Sequence, residues 1–347
     1  MKSVDWMKVL KTFPVYLMVG AMVIMVAMSS IGCEGPEGQA GADGVDGIDG
    51  VDGVDGNVTC LSCHEESNML EIRFEYNQSQ HASGDISLDY AGGRSSCAEC
   101  HSGSGFVEFM VTGDVEANHT PTAITCNSCH GLHTDFTEEF PALRITADAT
   151  IDLWDGTTET FGASNMCAFC HQPRRGYLDY DDTVAGDDSA SITSSHAGPH
   201  HGPQAGVLLG TIGDGRNGTT SIDVTNQHAS VACVDCHMES GDHSFWPKIE
   251  SCTTCHSGLT TFDRDGFQTD IEADMVLIRE ELVAVHALGT DTVEGVVEYH
   301  PHVGKISGTE FSAWWNYMVV VEDKSLGIHN PKFVEKLVAN AKENLGL

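Results

Sequence analysis

Apolar residues recur at helical spacing mainly in the C-terminal part of the chain. Residues 271–287 and 310–321 carry them at intervals of three and four, and so does the segment 331–345, which opens with proline. Proline suits a first helical turn because its missing N–H would be unpaired there anyway. This spacing is typical of helices that bury one face. We therefore predict three helices that pack together in a C-terminal helical region, 263–347.

Residues 57–262 show a different pattern. Glycine, serine, threonine and aspartate dominate, and long periodic apolar stretches are missing. The clearest strand signal lies at 142–154, where we predict a small hairpin or loop. Because the apolar side chains are sparse, we expect short helices and loops that pack around an apolar group other than the side chains of the chain itself.

A continuous apolar run at residues 13–28 follows three lysines and precedes Ser-Ile-Gly-Cys33. A basic start, an apolar stretch and small residues before a cleavage point predict a signal peptide over 1–32. It is of the lipoprotein type, with Cys33 lipidated. The alternative is an uncleaved anchor, since residues 13–32 are just long enough to span a bilayer. Either interpretation predicts an exported protein: an outer-membrane or cell-surface lipoprotein, or a periplasmic protein anchored to a membrane.

Glycine occupies every third position from Gly35 to Gly56. Collagen has this period because only glycine fits at the axis of its triple helix. Here aspartate precedes the later glycines, and like charges repeated so often oppose the association of three chains. We predict that residues 33–56 form an extended collagen-like Gly-x-Asp stalk. A short trimeric collagen segment and calcium binding by the aspartates are the alternatives.

Twelve of the 13 cysteines fall into six copies of the pattern Cys-x-x-Cys-His. Two thiols at this spacing can form thioethers with the vinyl groups of one haem, and the adjacent histidine becomes the proximal iron ligand. A redox dithiol or a zinc site would also use Cys-x-x-Cys, but neither explains the histidine that follows each time. We predict six haem c groups. The attachment cysteines are Cys60, Cys63, Cys97, Cys100, Cys126, Cys129, Cys167, Cys170, Cys233, Cys236, Cys252 and Cys255, and the proximal ligands are His64, His101, His130, His171, His237 and His256.

Six macrocycles would supply the apolar core that residues 57–262 lack. The predicted fold class is therefore mainly α with extensive coil. It consists of a hexahaem-binding domain at 57–262, in which short helices surround the haems, and the C-terminal helical region packed on them.

A haem built for electron transfer also needs a ligand on the second, distal face of its iron. Twelve of the 18 histidines lie outside the six motifs, so distal histidines are available with a surplus. Methionine is the alternative distal ligand, and Met238 directly follows a motif histidine.

Several segments carry more extended local motifs. Residues 198–204 read Gly-Pro-His-His-Gly-Pro-Gln, and residues 325–331 read Ser-Leu-Gly-Ile-His-Asn-Pro after two adjacent tryptophans. Residues 165–174 and 233–245 also carry extended local motifs, each around a Cys-x-x-Cys-His pattern. These segments resemble bacterial multihaem cytochromes related to the pentahaem nitrite reductase group. In that group the histidine matching His329 is a distal haem ligand.

The resemblance, taken position by position, implies a set of distal histidines. His133 follows His130 too closely to serve the same iron, so we expect it to serve a neighbouring haem. His119, His286 and His302 are reserves. The predicted distal ligands are His81, His133, His228, His243 and His329, together with His200 or its neighbour His201.

One difference from that group bears on function. Its ammonia-forming reductases usually carry lysine in place of the motif histidine at the catalytic haem, whereas all six motifs here end in histidine. We therefore predict an electron carrier of periplasmic or extracellular respiration and assign no catalytic residue. The alternatives are a reductase of nitrite, hydroxylamine or a sulfur oxyanion, and a subunit of an extracellular cytochrome filament.

The net charge of −34 limits the partners. A nucleic-acid-binding protein needs a positive surface, so that class is excluded. The expected partners are redox proteins or an extracellular acceptor, with membrane contact through the lipid anchor. Association into a homo-oligomer or filament is left open.

Overall fold

The computed structural model describes residues 64–84, 88–131, 143–180, 188–218, 222 and 225–347. Several predicted features lie outside the described residues and stay predictions: the signal peptide, Cys33, the Gly-x-Asp stalk, Cys60, Cys63 and His133. Within the described ranges, no helix has the length and apolar character that crossing a membrane requires.

Short helices dominate the described part of residues 64–262, as the polar sequence predicts. The longest has 11 residues. They are α1 (Glu66–Tyr76), α2 (Gln80–Ser83), α3 (Ser95–His101), α4 (Gly103–Thr112), α5 (Cys126–Cys129), α6 (Asn165–Cys170), α7 (Gln204–Leu209), α8 (Cys233–His237) and α9 (Ile249–Thr253). A π-helical turn at Leu88–Gly92 and several 3-10 turns lie between them.

The strands of the described residues form three antiparallel pairs. β1 (Ile151–Asp152) pairs with β2 (Thr158–Glu159), β3 (Ser189–Ile192) with β6 (Gly304–Ser307), and β4 (Leu288–Val293) with β5 (Val296–Pro301).

The predicted hairpin at 142–154 is displaced along the chain. Pairing starts only at Ile151 and continues to Glu159, while Leu143 makes a single bridge to His130. The physical reason is the turn. The Asp155 carboxylate accepts the Thr157 N–H at 3.0 Å, and Gly156 has a φ of 79° that a side chain would strain.

Three longer helices lie where the apolar spacing predicts them. They are α10 (Phe267–Ala284), α11 (Gly308–Asp323) and α12 (Pro331–Leu345), and they pack on one another. Ser307 and Glu310 form a capping box at the start of α11. The Asn330 side chain accepts the Phe333 N–H at 3.2 Å and caps α12.

The C-terminal region is less purely helical than predicted. The β4–β5 hairpin and β6 separate α10 from α11. Two turn residues, Glu294 and Gly295, join the strands, and both have positive φ (52° and 86°). A tight hairpin needs this conformation to match the twist of its strands.

The main apolar core lies around α11. Phe311, Trp314, Trp315 and Phe333 are all 0% exposed. Burying a side chain of this size contributes roughly 1.5–3 kcal/mol. A hydrogen bond also orients the packing: Trp315 Nε1 donates to the Ile212 carbonyl at 2.7 Å. The core therefore holds the chain after α7 against α11.

Candidate functional site

Five of the six Cys-x-x-Cys-His motifs lie wholly within the described residues. Their first cysteines are Cys97 on α3, Cys126 on α5, Cys167 on α6, Cys233 on α8 and Cys252 on α9. In a helical turn, residues three apart lie on one face, which suits two thiols that bind one group; Cys255 lies two residues past the end of α9. None of these ten cysteines forms a disulfide.

Each of these five motif histidines lies opposite a second histidine that is distant in sequence. The centres of the two rings are 5.8 to 6.5 Å apart in every pair. The pairs are His101 with His200, His130 with His243, His171 with His81, His237 with His329, and His256 with His228.

This spacing fits two imidazoles on opposite faces of one iron. A metal–imidazole bond of about 2 Å, plus ~1 Å from the nitrogen to the ring centre, places the two centres roughly 6 Å apart. The residues present therefore fit a haem at each described motif: two thiols on one helical face, the motif histidine beside them and a second histidine across the gap.

In His228, His243, His237, His171 and His329, the ring nitrogen Nδ1 contacts an oxygen atom. Nδ1 contacts a carbonyl oxygen in three of them: Ile328 for His228 (2.6 Å), Gly241 for His243 (2.7 Å) and Phe245 for His237 (2.9 Å). It contacts Gln204 Oε1 in His171 (3.1 Å) and Asp323 Oδ1 in His329 (2.7 Å). Metal-binding histidines generally hold their other nitrogen in this way, which leaves Nε2 available for the metal.

Burial keeps several of these imidazoles neutral, the form that binds a metal. It lowers the pKa of His81 to about 4, with a smaller effect from His171. Burial likewise lowers the pKa of His200 to about 4, with help from His201 and His101. His329 differs, because the hydrogen bond and charge of Asp323 outweigh its burial and hold its pKa above the usual value.

The remaining candidates have other neighbours. His201 faces Glu322, with Nδ1 2.8 Å from the carboxylate, so it is His200 that lies opposite a motif histidine. The reserves His286 and His302 lie 6.1 Å from each other, between ring centres. His119 is partly buried, and its Nε2 has no hydrogen-bond partner in the described structure. For the first motif, only His64 is described.

Neighbouring motifs touch through their thiols. Cys100 contacts Cys170, and Cys167 contacts Cys233. The second, fourth and fifth motifs are therefore adjacent in space.

Arg174 lies beside the contact between Cys100 and Cys170. It donates to Cys100 Sγ at 3.1 Å and pairs with Glu99 at 2.7 Å. This adjacency is not predictable from the sequence, because the spacing within one motif carries no information about the position of another motif.

Comparison with known proteins bears on the fold. No protein-family model matches the chain, and no curated protein matches it. The crystal structure of outer cell wall cytochrome OcwA matches with a TM-score of 0.51 and 23% identity, over 78% of this chain and 49% of OcwA. The fold is similar to a cytochrome's. The chain spans about half the length of OcwA.

A second solved structure is an undecahaem cytochrome from the S-layer of Carboxydothermus ferrireducens. It matches with a TM-score of 0.48 and 20% identity, over 77% of this chain and 40% of that protein. The OcwA match confirms the prediction of a cytochrome fold. The number of haems and the relation to nitrite reductases stay predictions.

Proposed function

We propose that the chain is an exported c-type cytochrome that binds six haems covalently and carries electrons. Bound haem supplies reversible one-electron chemistry at its iron. The chain supplies the attachment cysteines, the axial histidines and the groups that orient them.

The observation that carries this proposal is the set of five facing histidine pairs. A haem in each gap would have both iron faces occupied, by His101 and His200 for example. An iron ligated on both faces has no open position for a substrate, which favours electron transfer over catalysis at these five sites.

The contacts between motifs support transfer from one haem to the next. Thioether bonds at Cys100 and Cys170 would bring the edges of two haems together at this contact. The contact between Cys167 and Cys233 would do the same for the next pair. We infer an electron path that includes the second, fourth and fifth haems.

The setting we propose is the cell surface or the periplasm, with a lipid on Cys33 and an acidic stalk between the membrane and the first haem. The net charge of −34 would steer the protein toward basic redox partners or cationic acceptors. OcwA is named as an outer cell wall cytochrome, which is compatible with an exported location.

Mass spectrometry and electron paramagnetic resonance test the proposal on the haem-loaded, oxidised protein. We expect the mass of the chain plus six haems, and only low-spin ferric signals that nitrite and hydroxylamine leave unchanged. A protein without covalent haem would refute the proposal.

The rival function is a reductase, which requires one haem whose iron has an open face. The five facing histidine pairs belong to the other five motifs, and Cys60 and Cys63 of the first motif lie outside the described residues, so the first motif is the one to test. A high-spin signal that shifts with nitrite, and disappears in a variant with Cys60 and Cys63 both replaced by alanine, would favour the reductase. The matched variant at Cys252 and Cys255 should leave such a signal intact.

A further inference from the structure

The C-terminal end of α11 presents two consecutive carboxylates to two histidines. Glu322 is 9% exposed and contacts His201, while Asp323 is 1% exposed and contacts His329. Only the second of these histidines faces a motif histidine, His237, at 6.3 Å between ring centres. Asp323 is therefore a buried charge one hydrogen bond away from a predicted iron ligand.

The turn between Asp323 and His329 fixes this contact. Asp323 Oδ1 lies 2.7 Å from His329 Nδ1, and Ser325 Oγ donates to the other carboxylate oxygen. Ser325 Oγ also accepts the His329 N–H at 3.3 Å. The carboxylate thus has two partners and one defined orientation.

The backbone of the same turn is unusual. Lys324 and Leu326 have φ values of 62° and 49°, a conformation that residues with a side chain rarely adopt. Strain of this kind persists where the surrounding structure imposes it, and it is often found at functional sites. Here it brings the carboxylate at the end of α11 back onto the His329 ring.

Other predicted axial histidines meet neutral oxygens. His228, His237 and His243 contact backbone carbonyls, and His171 contacts the Gln204 amide. A carbonyl orients the ring but draws the Nδ1 proton only weakly. A buried carboxylate draws it strongly, because little water competes for the bond.

We propose that Asp323 is a positioning residue that lowers the reduction potential of the haem attached at Cys233 and Cys236. By accepting the Nδ1 proton it makes His329 a more basic ligand, which stabilises ferric iron. The inference rests on the proposed function, since it requires a haem between His237 and His329.

Asp323→Asn in the haem-loaded protein tests the inference. Potentiometric titration followed by electron paramagnetic resonance should show one haem with a raised potential and a wider spread of its g values, while the other haems keep theirs. The g values matter because loss of charge alone shifts a potential, whereas loss of ligand basicity also changes the ligand field. Glu322→Gln is the matched control and should leave this haem unchanged.

Two further variants keep the test informative if Asp323→Asn does not fold. Asp323→Glu keeps the charge and should hold the potential near the wild-type value. Ser325→Ala removes a donor from the carboxylate, which then draws the Nδ1 proton more strongly, so the potential should fall.

A potential and g values that stay at wild-type values in Asp323→Asn, with six haems present by mass, would overturn the inference and leave the proposed function standing. Absence of haem at Cys233 and Cys236 would instead refute the function.

Discussion

At the scale of single residues, two adjacent histidines have opposite surroundings. The ring of His200 faces His101, and its pKa falls to about 4 through burial and the neighbouring histidines. His201 contacts Glu322 instead, and that hydrogen bond raises its pKa. The two ring centres are only 5.4 Å apart, so the difference lies in the partner that each ring meets. The sequence identifies the pair but not the ligand within it, because the choice depends on His101 and Glu322, which lie far away along the chain.

Replacing each of these histidines in turn tests which one serves as a ligand. His200→Gly should convert one haem from low spin to high spin, because the iron loses its distal ligand; glycine also tolerates the φ of 78° at this position. His201→Gly should leave every haem low spin. Electron paramagnetic resonance distinguishes the two outcomes, and added imidazole should restore the low-spin signal in His200→Gly. A high-spin haem in His201→Gly alone would contradict the pairing.

At the scale of elements, hydrogen bonds between buried polar groups hold α11 against α12 and the segment around Asp214. Asn316 exchanges two hydrogen bonds of 2.8 Å with the backbone of Asp214 and donates a third, of 2.9 Å, to Asn340 Oδ1. Asn316, Asp214 and Asn340 are each 0% exposed. Removing one partner would leave buried donors and acceptors unpaired, which costs more than the bond itself contributes.

Asn316→Ala should therefore lower the free energy of unfolding by about 2–4 kcal/mol, since it leaves two or more buried polar groups unpaired. Lys336→Ala, on the exposed side of α12, is the control and should change it by less than about 0.5 kcal/mol. Chemical denaturation followed by tryptophan fluorescence or circular dichroism measures both. Equal effects in the two variants would contradict the role of Asn316.

The elements also show where local sequence is informative. The three C-terminal helices were predictable because their apolar spacing repeats over three or more turns. The β4–β5 hairpin was not predicted, because its turn, Glu294-Gly295, is not one of the usual Asn-Gly or Asp-Gly pairs, and only its glycine signals a tight turn. The pairing of β3 with β6 had no comparable signal, because it joins segments far apart along the chain.

At the scale of the whole molecule, the described residues form two apolar clusters of unequal size. The larger one joins α10, α11 and α12, including Trp314 and Trp315, and takes in a few side chains from before residue 262, such as Ile192 and Val207. The smaller one lies wholly within 64–262, around Phe106, Ile151 and Leu153. Leu70 and Phe74 on α1 are 59% and 69% exposed, where apolar macrocycles could cover them.

This division predicts how the protein behaves without haem. In a variant with all twelve motif cysteines replaced by serine, α10, α11 and α12 should keep slow amide exchange, because their core consists of side chains. The motif helices α3, α5, α6, α8 and α9 should exchange quickly. Hydrogen–deuterium exchange with mass spectrometry measures both regions in one sample, with the haem-loaded protein as the reference. Uniformly slow exchange would show that haem is not the main core of residues 64–262.

The sequence by itself determined what depends on neighbours along the chain. Thiols three residues apart with an adjacent histidine define a haem attachment chemistry, and periodic apolar residues define a helix face. The tertiary structure alone decided which histidine faces which motif, which motifs touch, and that Asp323 contacts His329. These relations join residues from different segments, so they follow from how the whole chain packs, and no local spacing specifies them.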